Sequence, residues 1–190
     1  MRIIAGEARG RRLAALGKGD AEAHLRPTSD RVRESLFSML NSLGAIEGAQ
    51  VLDLFAGTGA LGLEALSRGA ARARFVENGR VALGLLEENI KLLTFSARAD
   101  VLRRDACNPG PVEGAPATLV FLDPPYGRRL GEAALDAALK GGWLAPGALI
   151  VWEENAPVIP PRGMAQKARR KYGETQITVL EWDGQLRQSP

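Results

Sequence analysis

Between residues 49 and 154 the chain alternates short apolar runs with longer stretches whose apolar positions recur every three or four residues. "AQVLDLF" (49–55) is a compact apolar run that ends at a glycine-rich loop, which predicts a buried parallel strand. "ALGLEALSRGA" (60–70) follows with Leu61, Leu63 and Leu66 on a helical repeat and Gly69 as a stop. "RARFVE" (72–77) predicts a second strand and "VALGLLEENIKLL" (81–93) a second helix. "ARADVLRRDA" (97–106) and "ATLVFLD" (117–123) predict strands, "GEAALDAALKGG" (131–142) a helix, and "GALIVWEE" (147–154) a fifth strand. Strands that alternate with helices of this length predict a parallel sheet covered on both faces, a doubly wound α/β fold.

The two ends break the alternation. "KARRKYG" and "TQITVLEW" flank Gly173-Glu174 and predict a closing antiparallel hairpin. "MRIIAG…RGRRLAAL" predicts a small hairpin, followed by a loop through residue 25. In "RPTSDRVRESLFSMLNSLG", Val32, Leu36, Met39 or Leu40, and Leu43 fall at helical spacing. Thr28 or Ser29 can cap that helix, Asp30 favours its first turn, and Gly44 can end it. The expected organisation is an N-terminal extension over residues 1–45 and a body over 46–190, without repeats or low-complexity tracts.

Composition narrows the class. At 190 residues, 45% hydrophobic and 25% charged, the chain suits one ordinary globular domain with a real core. No apolar run approaches membrane-spanning length, and "MRIIAGEARGRRL" lacks the apolar core of a secretory signal, so the expected location is the cytoplasm. Cys107 is the sole cysteine, which rules out an internal disulfide and a cysteine-based zinc site. The net charge of +3 is unevenly spread. Residues 1–33 carry eight basic and four acidic side chains, 34–161 eleven and fifteen, and 162–190 six and three. Basic ends around an acidic middle fit a catalytic body with a rim that grips a polyanion.

The loop "DLFAGTGALG" contains GxGxxG at Gly57, Gly59 and Gly62 between a strand and a helix, where a ligand can approach backbone and helix N-terminus closely. Glu77 follows at the tip of the second strand, where a carboxylate can accept from ribose hydroxyls. Two further carboxylates argue against a dinucleotide. Asp53, immediately before the loop, would repel a pyrophosphate but suits an ammonium and a sulfonium. Asp105, ending the third strand, can accept from an adenine amine. Together they describe S-adenosylmethionine, with S-adenosylhomocysteine as product and no metal.

"DPPYG" (123–127) ends the fourth strand and should face the same crevice. Pro124 and Pro125 stiffen the turn and leave carbonyls free to accept. A nucleobase amine is a poor nucleophile because its lone pair is delocalised into the ring. Acceptors on both N–H bonds, here the Asp123 carboxylate and the Pro124 carbonyl, can localise that pair, and the Tyr126 ring can stack on the base. The chemistry these residues predict is methyl transfer to a base amine.

The chain resembles the RsmD family of bacterial 16S ribosomal RNA guanine-N2 methyltransferases. The likeness runs from "RIIAGEARGRRL" through "LRPTSDRVRESLFSML", "DLFAGTGALGLEALSRGA", "FVE" and "DPPYG" to "GWLAPGALIVWE", and weakens after residue 160. "RPTSDRVRESLF" is its narrowest part, since "DLFAGTG" and "DPPY" occur in many amine methyltransferases. The resemblance implies a cofactor loop over Asp53, Phe55, Ala56, Gly57, Thr58 and Gly59, a ribose partner in Glu77, and an adenine site at Asp105 and Ala106. It also implies that Asp123, Pro124, Pro125 and Tyr126 take the target base. Arg26, Thr28 and Arg31 would cover the cofactor or touch RNA, and the implied partner is 16S rRNA in the small subunit; independently of the resemblance, a monomer is the simplest expectation. Asn78-Gly79-Arg80 departs from the pattern, which more often has a second carboxylate after the first.

Arg9, Arg11 and Arg12, and the acid-free run Arg162, Lys167, Arg169, Arg170 and Lys171, are expected phosphate contacts. His24 is read as an exposed loop residue, Cys107 as an idle thiol, and Trp143 and Trp152 as core. Glu153 and Glu154 are read as a rim of the cleft. Two other readings compete: an adenine-N6 methyltransferase of DNA or RNA, and a non-catalytic RNA-binding factor. The first would want a separate recognition domain for DNA, the second a damaged loop or "DPPY", and neither is seen.

Overall fold

Four of the five residues of β1 (Gln50–Leu54) are buried, as a strand covered on both sides requires. The computed structural model describes residues 1–15, 29–126 and 128–185, and places β1 in the middle of a seven-stranded sheet of order β3-β2-β1-β4-β5-β7-β6. The other strands are β2 (Arg72–Glu77), β3 (Ala99–Arg103), β4 (Ala117–Leu122), β5 (Leu144–Glu154), β6 (Met164–Tyr172) and β7 (Thr175–Trp182). Strands β3, β2, β1, β4 and β5 run parallel, whereas β7 is antiparallel to both β5 and β6. The chain winds outward from β1 to β3 and returns to β4 on the other side of β1. That reversal opens a crevice beyond the carboxyl ends of β1 and β4.

Helices α1 (Asp30–Ser42), α2 (Ala60–Ser67) and α3 (Arg80–Leu92) share one core with Phe75, Phe121 and Val151. Helix α4 (Leu130–Lys140) packs into a second core with Trp143, Trp152 and Leu180 on the other face. Ser29 caps α1, its Oγ accepting from the Val32 N–H at 3.3 Å, while Thr28, the alternative cap, lies outside the described residues.

The expected N-terminal hairpin is present as a short one, with an antiparallel bridge between Arg2 and Arg12 and backbone bonds from Ile3 N–H to the Arg11 carbonyl, Gly10 N–H to the Ile3 carbonyl and Leu13 N–H to the Met1 carbonyl, and it is also bonded to α2. Glu64, fully buried, accepts from the Ile4 and Ala5 N–H groups at 2.8 and 3.0 Å and from Arg68 Nε at 2.7 Å. Ser67 accepts from the Ala8 N–H at 3.0 Å and donates to the Ala5 carbonyl at 2.6 Å. Ile3, Ala8 and Leu13 thereby join the core of α1–α3, and residues 1–15 are packed as part of the body.

Candidate active site

The turn out of β1 is built by residues that accept unusual backbone angles. Phe55 adopts φ 60°, a left-handed conformation that a bulky residue holds only where its surroundings demand it, and Gly59 takes φ 79° at the N-cap of α2. Gly62 answers a different need. A Cβ there would lie 2.4 Å from Phe75 Cε1 and 3.0 Å from Asp53 Oδ2, so the missing side chain lets α2 sit directly on β1 and β2. The Asp53 carboxylate accepts from the Gly62 N–H at 2.9 Å, capping the first turn of α2 from below. Burial pushes its carboxyl up to about 8, against the Gly62 hydrogen bond and with the Glu77 charge adding to the rise.

Two side chains clamp the loop from outside. Glu77 Oε2 accepts from the Gly57 N–H at 2.8 Å, and Oε1 accepts from the Asn78 and Gly79 N–H groups at 2.9 and 2.7 Å. Asn89 of α3, fully buried, donates from Nδ2 to the Thr58 carbonyl at 3.0 Å and to the Ala14 carbonyl at 3.2 Å, and its Oδ1 accepts from the Ala14 N–H at 2.7 Å. The N-terminal segment therefore runs along α2, from Ser67 at one end to the glycine loop at the other.

Sheet register builds the rest of the crevice. Asp53 pairs with Phe121 of β4, and Phe121 with Val151 of β5; one residue further, Leu122 pairs with Trp152. Asp123 and Glu153 thus stand at one height on neighbouring strands, two residues beyond the row of Asp53. Burial first, then the charges of Glu153, Asp53 and Glu154, hold the Asp123 carboxyl well above the usual range. The Tyr126 hydroxyl donates to Glu153 Oε1 at 3.1 Å and lies 3.3 Å from Thr175 Oγ1. Burial pushes this phenol up to about 12; the Thr175 contact opposes the rise, and the Glu153 and Asp123 charges add to it. Beside Tyr126 a cavity of about 400 Å³ is lined by Asn155, Lys171, Gly173 and Glu174. That volume falls within the roughly 300–1,000 Å³ of small-ligand clefts.

Glu153 is the residue that sequence reasoning undervalued. The pattern puts it on the rim, whereas it is 7% exposed and anchors the Tyr126 hydroxyl. Asp105 is exposed, its Oδ1 accepting from the Cys107 N–H at 2.9 Å, and Ala106 beside it is buried. The Cys107 thiol is raised by burial and then by the Asp105 charge, the reverse of what a nucleophile needs. Trp143 and Trp152 are core residues. Arg26, His24 and Gly127, like Thr28, lie outside the described residues. Among those described, no group of three or more His, Cys, Asp or Glu could hold a metal ion, and no helix is long and apolar enough to cross a membrane.

The basic residues divide into two places. Ser35 and Tyr172 share a hydrogen bond of 2.6 Å, which joins α1 to the end of β6. Arg31, one turn before Ser35 on the same helix face, and Arg170, on the same face of β6 as Tyr172, are exposed on the α1 side, whereas Lys171 alternates to the other face and lines the Tyr126 cavity. Arg169 donates to the Val158 carbonyl at 3.0 Å and Lys167 pairs with Glu181 at 2.6 Å. Arg9, Arg11 and Arg12 are exposed on the N-terminal turn. That turn docks at Ser67, the far end of the eight-residue α2 and about 12 Å from the glycine loop.

Comparison with known proteins gives this geometry a family. A model described as "Conserved hypothetical protein 95" matches residues 1–181. Ribosomal RNA small subunit methyltransferase D of Escherichia coli strain K12 is 43% identical over 164 residues, covering 84% of this chain and 79% of that protein. The putative rRNA methyltransferase YlbH of Bacillus subtilis strain 168 is 34% identical over 190 residues, covering 97% of this chain and 100% of its own length. A solved structure, the putative methyltransferase yhhF from Escherichia coli, superposes with a TM-score of 0.82 at 38% identity, covering 97% of this chain and 99% of that one. The chain belongs to the Conserved hypothetical protein 95 family, the RsmD family of methyltransferases to which its motifs point.

Proposed function

We propose that this protein transfers a methyl group from S-adenosylmethionine to the exocyclic N2 amine of a guanine in 16S ribosomal RNA, acting on the small ribosomal subunit as a cytoplasmic monomer. One observation carries the reading. Asp123-Pro124-Pro125-Tyr126 leaves the carboxyl end of β4 directly beside the glycine loop that leaves β1. The name of the Escherichia coli relative supplies the RNA, and the acceptors around Asp123 supply the amine.

The residues present fit the cofactor. Phe55 to Gly59 form a close-approach loop, and carboxylates stand near the carboxyl ends of three strands: Asp53 within β1, Glu77 as the last residue of β2 and Asp105 two residues after β3. Glu77 Oε1 already takes two N–H donors, so a ribose hydroxyl falls to Oε2. When bound, the cofactor supplies a methyl group on cationic sulfur. The Asp123 carboxylate and Pro124 carbonyl accept the two amine N–H bonds and return the nitrogen lone pair to the amine. Tyr126, fixed through its hydroxyl, stacks on the base and sets the line of attack. As the amine takes the methyl group with loss of the neutral thioether, the Asp123 carboxylate receives the surplus N–H proton, and the rate comes from positioning and charge complementarity rather than from a strong base. Residues 1–15 and 29–45 cover the cofactor side, Lys171 holds a phosphate beside the cavity, and Arg31 and Arg170 hold phosphates on the α1 side.

The test gives radiolabelled S-adenosylmethionine with unmodified small subunits, naked 16S rRNA or DNA, followed by nucleoside analysis. N2-methylguanine in the RNA is the expected product, and label confined to N6-methyladenine would overturn the reading. Asp123→Ala should lose turnover while S-adenosylhomocysteine still binds.

A further inference from the structure

Asp123 does not face the base site alone. Because Leu122 pairs with Trp152, the neighbouring strands bring Glu153 level with Asp123, and the charge of Glu153 is felt there directly. Glu153 also receives the Tyr126 hydroxyl, so the ring that stacks on the base is tied to this second carboxylate. Asp53 and Glu154 are the other acidic groups around Asp123, and Thr175 of β7 completes the bracket around the Tyr126 hydroxyl.

We propose that Glu153 is the specificity-determining residue that selects guanine, accepting its N1–H while Asp123 and Pro124 accept from its N2 amine. The inference rests on the guanine-N2 reading above. An ionised carboxylate is an acceptor only, with about four lone-pair sites on two oxygens, so Glu153 can hold the Tyr126 hydroxyl and a base N–H together. Two carboxylates side by side complement a base edge that presents two donors side by side. On the Watson–Crick edge of guanine the N1–H stands next to the N2 amine. Adenine and cytosine instead place a ring-nitrogen lone pair next to their amine, and that lone pair would face the Glu153 charge. A site built to take a donor rejects a base lacking it far more strongly than a merely apolar pocket does. The crowding of acidic groups then acquires a purpose. It is tolerable in the loaded site because the donors of the base and the cationic cofactor both relieve it.

A donor–acceptor exchange tests this. Once the methylated position is mapped, small subunits are rebuilt with guanine or 2-aminopurine there. 2-Aminopurine keeps the 2-amine but has a lone pair at N1. The parent enzyme should favour guanine by roughly 100-fold or more in kcat/KM. Glu153→Gln keeps an acceptor for Tyr126 and can turn a donor toward N1. It should lower guanine turnover roughly 10- to 100-fold and shift the guanine to 2-aminopurine ratio at least about tenfold toward 2-aminopurine, with S-adenosylhomocysteine affinity unchanged. An unaltered ratio in Glu153→Gln overturns the proposal. Equal use of both bases by the parent also sinks it while leaving the N2 reading intact, whereas N2 methylation of neither base sinks that reading instead. Should Glu153→Gln not fold, Glu153→Asp withdraws the carboxylate by one methylene, and full guanine preference in that variant is likewise a refutation.

Discussion

Replacing Asn89 by alanine should uncouple the N-terminal segment from the glycine loop proposed to hold the cofactor. The side chain is fully buried and makes three hydrogen bonds, two with the backbone of Ala14 and one with the Thr58 carbonyl. Thr58 is 8% exposed, so its carbonyl would bear most of the desolvation cost of losing a partner, about 1–3 kcal/mol. Ala14 is half-buried and its groups can turn to water, which leaves roughly 0.5–1 kcal/mol for each of those bonds. The expected loss is about 2–5 kcal/mol of stability, or roughly 4–20 °C in Tm for a domain of this size. The loop keeps its Glu77 clamp on the Gly57 N–H but loses its other brace, so cofactor binding has to re-order it. S-adenosylhomocysteine should bind roughly 5- to 30-fold more weakly by calorimetry, equivalent to about 1–2 kcal/mol. Ser67→Ala is the control, since it removes the N-terminal hydrogen bonds at the far end of α2 and leaves the loop alone. It should lower Tm without changing affinity. If Asn89→Ala behaves like Ser67→Ala, with Tm reduced and affinity intact, the loop does not depend on Asn89 and the reasoning is wrong.

The raised carboxyls of Asp53, at about 8, and Asp123 make cofactor binding pH-dependent. A cation favours their ionised forms, so binding releases protons and affinity for S-adenosylmethionine climbs as pH rises toward 8 and falls below it; calorimetry in buffers of different ionisation enthalpy should show the release, and none at pH 7 would contradict it. S-adenosylhomocysteine, lacking the sulfonium charge, should release less. Gly62→Ala forces a Cβ to within 2.4 Å of Phe75 and should cost roughly 1–3 kcal/mol in denaturant unfolding; an unchanged midpoint would show that α2 has slack over the sheet. Lys171→Ala should weaken RNA binding evenly across sequences and reduce the salt slope by about one, and an unchanged slope would remove Lys171 from the phosphate path.

How far the site could be read from sequence depended on how far apart its partners lie. The positions of Asp53, the glycines and "DPPY" were legible because they are local: each sits at or next to a strand end, and a strand–loop–helix pattern places it. Ser29 was legible for the same reason, its partner Val32 being three residues away. Glu153 was not. "VWEEN" holds nothing to say that one of its two acids turns under a tyrosine 27 positions earlier; only the β4–β5 register decides that. Glu64 and Asn89 read as polar interruptions of amphipathic helices, yet each is buried and satisfied by backbone some 60 to 75 residues away. Their burial could not be seen because a carboxylate or amide is tolerated in a core only when donors and acceptors from a distant segment arrive to meet it. In both cases that segment is the N-terminal one. Apart from Glu153, the residues hidden from sequence reasoning are therefore those that fasten residues 3–14 to α2, α3 and the glycine loop. A segment whose bonds are spent on Glu64, Ser67 and Asn89 cannot be detached without leaving buried charge and amide groups unmatched. The described start of the extension, which looks like an appendage in the sequence, is thus held to the glycine loop by the same interactions that stabilise the core.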